Sequence, residues 1–159
     1  MTKPKVLFLC TGNSARSQMA EAFLRDYAEG AFEVHSAGLE PKDAILPDVL
    51  EVMQERGLNM QGQHPKGVET YLGRTNFAHV ITVCGNAEEK CPTVFLTMGR
   101  HEHWPFEDPA KYQGSQDGRL EFTRQVRDQI DQRVRSWLDE QGHPPAARAL
   151  KKADENRIS

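Results

Sequence analysis

Val6-Leu7-Phe8-Leu9-Cys10-Thr11-Gly12-Asn13-Ser14-Ala15-Arg16-Ser17 is the stretch that decides the fold. Val6 to Leu9 is an unbroken apolar run of strand length, the pattern of a strand covered on both faces. It ends at a thiol, Cys10, and gives way to a short polar loop. Ser14 to about Ala28 then reads as a helix, because Met19, Phe23 and Tyr27 recur at i+4 with Ala20 and Leu24 beside them, and Gly30 is a natural stop. Strand, loop and helix in this order put a helix N-terminus at the loop, where amides and the helix dipole favour a bound anion. Gly12 and Asn13 are residue types that tolerate positive φ, which lets successive N–H groups converge. Arg16 can close the site with a planar fork to two oxygens of a tetrahedral oxyanion. The same field favours the thiolate of Cys10, and so a nucleophile, with Ser17 able to donate a further hydrogen bond to the sulfur. Cys-x5-Arg alone is a weak pattern. A buried thiol beside a surface arginine would leave the Gly-Asn pair and the strand–loop–helix order unexplained.

Beyond this stretch strands and helices alternate. Phe32 to Ser36 reads as a second strand ending at Ala37-Gly38. Pro47 suits a first helical turn, and Leu46, Leu50 and Met53 form a stripe that ends at Gly57. Val68 to Leu72 is a weak short helix. Phe77 to Val83 is the expected third strand and Val94 to Met98 the fourth. Pro105 and Pro109 mark an irregular loop. Phe122, Val126, Ile130 and Val134 then repeat every fourth residue, continued by Trp137 and Leu138, in the clearest helix of the chain. The expectation is an α/β fold: a small doubly wound sheet of four parallel strands, order 2-1-3-4, with helices on both faces. Ligands in such sheets bind beyond the carboxyl ends of the strands, where Cys10 and Cys84 both fall.

The chain has 159 residues, most simply one catalytic domain over 1–140 with a polar tail over 141–159 that is free to move. The net charge is −3 with both signs mixed, which gives no nucleic-acid footprint. No stretch approaches the roughly 20 apolar residues of a spanning helix, and the N-terminus does not read as a signal peptide. With no export signal, three cysteines argue for the reducing cytoplasm, where thiols are more often catalytic or metal-binding than structural. A monomer with no membrane, no nucleic acid, no cofactor and no metal is expected. A zinc site from Cys84, Cys91, His101 and His103 is a poor match to the usual spacings.

Asp108-Pro109 reads either as a turn or as a general acid able to protonate a leaving oxygen. Cys84 and Cys91 stand seven residues apart and, if they could reach Cys10 in succession, would carry electrons away from it. At this point the run from Cys10 to Glu21, together with Val83-Cys84-Gly85, Cys91-Pro92 and His103-Trp104-x-Phe106-x-Asp108-Pro109-Ala110, resembles the low-molecular-weight protein tyrosine phosphatase fold. The similarity is greatest to its thioredoxin-coupled arsenate reductase branch, and extends from about Lys5 to Leu138.

The resemblance implies arsenate as substrate and thioredoxin as reductant. It implies Cys10, Arg16, Cys84, Cys91 and Asp108 as catalytic residues, and Thr11, Gly12, Asn13, Ser14, Ala15, Arg16 and Ser17 as the oxyanion loop. Glu107 is expected to face solvent, and Trp104 and Phe106 to wall the site or anchor the acid loop. If the segment from Cys84 to Cys91 is helical, its ends lie about 10 Å apart along the axis, beyond the ~7 Å a disulfide spans, so it would have to unwind. Asn13, Glu21 and Ser36 resemble positions that some family members use around potassium. Gly67 stands where those members carry an Asp, so the ion is not expected; a loop-shaping Asn, a solvated or paired Glu and a turn serine are the plainer roles. Two rivals remain: a phosphate monoester hydrolase using the same Cys10, Arg16 and Asp108, and a non-catalytic oxyanion sensor.

Overall fold

The computed structural model describes residues 2–85 and 99–145. Four parallel strands, β1 (Lys5–Cys10), β2 (Glu33–Gly38), β3 (His79–Thr82) and β4 (Arg100–His103), form one sheet in the order β2-β1-β3-β4. The expected strand order is the observed one. The register aligns Cys10 with Gly38, Leu9 with Thr82, and Thr82 with His103, so all four strands end along one edge. Cys10 opens the loop from the central strand at that edge.

Side chains of β1 alternate between two cores, as the pleat requires. Val6, Phe8 and Cys10 face α1 (Arg16–Ala28), α2 (Pro47–Glu55) and α3 (Gln116–Glu140), meeting residues such as Met19, Val52, Ile130 and Trp137. Leu7 and Leu9 face the 3-10 turn Val68–Thr70, with Tyr71 and Phe77. The long helix begins at a Ser115 cap, whose Oγ accepts from Gly118 N at 3.0 Å, so it starts before Phe122. Gly142, at φ 78°, turns the chain after the helix, and His143 packs edge-on against Phe32. The tail from residue 146 lies outside the described residues.

One expectation needs correction. The stripe Leu46, Leu50, Met53 is not the buried face of α2: Leu50 is exposed, while Asp48, Val49, Val52 and Met53 are buried. Asp48 can sit inside because Arg119 Nε (2.7 Å) and Gln116 Nε2 (3.0 Å) of α3 donate to its carboxylate. The fourth strand of the described sheet is Arg100–His103; the segment Val94 to Met98 lies outside the described residues. Glu102 anchors this polar edge strand by accepting from Trp137 Nε1 (2.8 Å), Trp104 Nε1 (3.2 Å) and Arg133 (3.1 Å).

His79 opens β3 with its ring buried edge-on against Phe32 and Trp137. Burial, reinforced by Arg100 and partly opposed by Glu102, pushes its pKa below the ordinary histidine value. Above the unfolded-state value of about 6.5 both states hold the ring neutral and it contributes no pH dependence. As pH falls below that value the unfolded chain binds the proton first, so stability is lost in that direction. Denaturant melts of wild type and His79→Phe between pH 7 and 5 are expected to show a shallower decline for the variant.

Candidate functional site

The anion loop is shaped from behind by its carbonyls. Leu39 N donates to Cys10 O (3.3 Å), Glu40 N to Thr11 O (2.9 Å), Lys42 N to Gly12 O (2.9 Å) and Leu46 N to Ser14 O (2.9 Å). Gln18 Nε2 donates to Asn13 O (3.0 Å) and Met19 N to Ala15 O (3.0 Å). With the six carbonyls of residues 10–15 engaged outwards, the intervening peptide units present their N–H edges to the loop centre. Helix α1 starts there with no capping side chain and no acid in its first turn, which leaves the dipole to act on an anion.

Asn13 adopts φ 50°, as its residue type allows. Gly12 does not take positive φ; its lack of a side chain serves another purpose, because a Cβ there would stand 3.1 Å from Lys42 Cγ. Gly38 is required for close approach, since a Cβ would lie 2.7 Å from Thr11 O and 2.9 Å from Asn13 N.

Cys10 is buried and free, and its sulfur accepts from Asn13 N (3.2 Å) and lies 2.8 Å from Ser17 Oγ. Lys66 N can only donate, and it lies 2.8 Å from Asn13 Oδ1. The opposite end of the amide, Nδ2, therefore faces Ser17 and donates to its Oγ at 2.7 Å. Ser17 Oγ accepts from Asn13 and keeps its own hydrogen available for the sulfur. A donor aimed at sulfur stabilises the thiolate over the thiol.

Arg16 is buried, donates NH1 to Phe106 O (3.1 Å) and places NH2 3.5 Å from Asp108 Oδ2. Asp108 caps the 3-10 turn Pro109–Lys111, accepting from Ala110 N at 3.0 Å. It is thus both the turn former and a carboxyl group at the loop. Arg16, Asp108 and Cys10 line one cavity of about 80 Å³, room for a small tetrahedral oxyanion. Glu107 is exposed. Trp104 anchors the acid loop against Phe8 (5.7 Å) and Trp137 (6.4 Å), while Phe106 holds Arg16 through its carbonyl.

Cys84 is buried just beyond β3, the strand beside β1, and is held in a disulfide. Cys10 is free. Cys91 and the intervening residues 86–90 lie outside the described residues.

Ser36 lies within β2 and not in a turn, and donates to Glu21 Oε1; Arg25 NH2 donates to the other oxygen at 2.6 Å. The ammonium of Lys66 stands 3.8 Å from Glu21, so Glu21 is the paired carboxylate of the two plain readings. No group of three or more His, Cys, Asp or Glu fit to hold a metal occurs among the described residues. No helix among them is long and apolar enough to cross a membrane. Sequence reasoning missed Gln18, Lys42 and Lys66, which act on the loop from outside its motif.

A parallel four-stranded sheet with a cysteine-bearing anion loop after its central strand defines a class, the α/β proteins that present a thiol to a tetrahedral oxyanion. Within that class the chain belongs to the low molecular weight phosphotyrosine protein phosphatase family, whose pattern matches residues 5–154. It is 39% identical over 139 residues to an arsenate reductase of Shouchella clausii, covering 87% of this chain and 98% of that protein. Among solved structures it is similar to an arsenate reductase in the phosphate binding state (TM-score 0.72, 34% identity, 86% of this chain and 98% of that one). It is also similar to a thioredoxin-dependent arsenate reductase of Corynebacterium glutamicum (TM-score 0.65, 32% identity, 87% of this chain and 61% of that one).

Proposed function

We propose that this chain reduces arsenate to arsenite through Cys10, Cys84 and Cys91, with thioredoxin as the final reductant. The Cys10 thiolate attacks arsenic while Arg16 and the loop amides hold the oxygens. Asp108 gives its proton to the departing hydroxyl, which leaves as water. The Cys84 thiolate then attacks the Cys10 sulfur. The sulfur–arsenic bond breaks, its electron pair leaves with arsenic as arsenite, and a Cys10–Cys84 disulfide forms. Cys91 attacks Cys84 and releases Cys10 as thiolate. Two electrons from a dithiol of the thioredoxin type return the resulting Cys84–Cys91 disulfide to thiols.

One observation carries the reading: a buried, free Cys10 shares a small cavity with Arg16 and Asp108, and a second cysteine, Cys84, lies just beyond the neighbouring strand. The likeness to relatives named arsenate reductases, one of them thioredoxin-dependent, adds support.

The test is arsenate-dependent NADPH oxidation through thioredoxin reductase and thioredoxin. Wild type is expected to turn over continuously. Cys91→Ser is expected to release about one arsenite per chain and stop at the Cys10–Cys84 disulfide, and Cys84→Ser to release none. Full steady-state activity in both variants would refute the relay.

Phosphate monoester hydrolysis is the second reading, and a specific observation favours it. A groove of about 460 Å³ adjoins Asp108, lined by Phe106, Tyr112 and Phe122 among others, with Tyr112 and Phe122 stacked at 5.4 Å. An aromatic ester could lay its ring there. Aryl phosphate hydrolysis by a protein that never reduces arsenate would establish this alternative.

A further inference from the structure

The charges around the loop do not balance for the substrate it is shaped to hold. Once Cys10 is ionised the floor of the cavity is negative. Its guanidinium, Arg16, already faces Asp108 at 3.5 Å. Helix α1 supplies only about half a positive charge. With Asp108 ionised these groups together offer a doubly charged tetrahedral oxyanion no net attraction, and with the proton it donates in place they offer only about half a charge.

Two further cations line the same cavity. Lys42 follows β2 and is fixed by its backbone, Lys42 N donating to Gly12 O at 2.9 Å. Its stem lies across Gly12, with Cγ and Cε at 3.1 and 3.4 Å from where a Cβ on that glycine would sit. Lys111 ends the 3-10 turn that Asp108 begins and lines the same cavity. Among the described lining residues Asp108 is the one carboxylate. No described carboxylate forms an ion pair with either lysine.

We infer that Lys42 and Lys111 are a counter-charge pair that selects doubly over singly charged tetrahedral oxyanions at the Cys10 loop. The inference rests on the loop being an oxyanion site and adds the residues that set its charge preference. Both lysines line the cavity and both are exposed, on flexible stems. They therefore act by Coulomb attraction at several ångströms, and the effect scales with the charge of the ligand.

Sulfate and perchlorate separate charge from shape, since both are tetrahedral and differ in charge. Calorimetric titration of the full chain with each, at one pH and constant ionic strength, reads the preference directly. Lys42→Gln and Lys111→Gln are each expected to weaken sulfate binding by about three- to tenfold, and perchlorate binding by about the square root of that factor. Lys42→Arg keeps the charge and is expected to restore the wild-type ratio. Melting curves check folding; both side chains are exposed, so the variants should melt as wild type does. Equal weakening for the two anions, or no weakening, would overturn the inference while leaving the loop an anion site. Failure of wild type to bind either anion would overturn both.

Discussion

Cys10→Ser is expected to lower arsenate reduction by ~10⁴-fold or more, to background, while leaving oxyanion binding intact. The sulfur does two things that an oxygen cannot. It is a far better nucleophile than a hydroxyl oxygen, and Ser17 Oγ at 2.8 Å and Asn13 N at 3.2 Å hold it at the N-terminus of α1. It can also form a disulfide, which the proposed relay needs if the sulfur–arsenic bond is to break with its electron pair leaving on arsenic. A serine hydroxyl satisfies the same hydrogen bonds but remains neutral and cannot form the sulfur–sulfur bond. The loop amides and Arg16 are untouched, so inorganic phosphate should still bind. Removing the negative thiolate beneath the anion should leave its Kd unchanged or lower it. Paired measurements of steady-state reduction and phosphate titration check this. A variant retaining a hundredth of wild-type turnover would remove Cys10 from the nucleophile's role.

What made that loop readable is that its chemistry is local. A strand, a thiol, a φ-tolerant Asn and a helix start lie within a dozen residues, and the alternation of elements constrains the parallel strand order. The features that stayed hidden are those whose partners are remote. Arg100–His103 has no apolar signature because three of its four side chains are exposed or nearly so, and Glu102 finds its partners in Trp104, Arg133 and Trp137. Asp48 reads as a solvated helix residue until Arg119, 71 residues on, is placed beside it. Lys66 fixes the Asn13 amide with a backbone N–H, a contact that no side-chain pattern could encode. Gly12 was legible as a loop glycine, but the reason for it, the stem of Lys42, belongs to another segment.

Asp131→Ala is expected to destabilise the fold by about 3–5 kcal/mol, the largest stability loss of any single substitution considered. Asp131 is a carboxylate at 1% exposure in the middle of α3, and it accepts hydrogen bonds from residues of three helices. Arg56, which ends α2 and is equally buried, donates NH2 to Oδ2 at 2.6 Å. On Oδ1 it accepts from Arg135 Nε at 3.1 Å and from the hydroxyl of Tyr27 on α1. Burial first, and Asp131 second, push the pKa of Tyr27 well above the ordinary tyrosine value, so the phenol remains a donor. Deleting the carboxylate leaves the Arg56 guanidinium, stacked over Phe23 at 5.6 Å, with only the half-exposed Asp128 at 3.1 Å to balance it. An uncompensated buried cation costs more than the pair contributed, which is why removing one partner is worse than removing both. The double variant Arg56→Met with Asp131→Leu is therefore expected to recover much of the loss. Chemical denaturation of the two variants and wild type decides the matter: for a domain of this size the single variant should melt roughly 6–20 °C lower. A double variant as unstable as the single one would mean that packing volume, and not an orphaned charge, holds these three helices together.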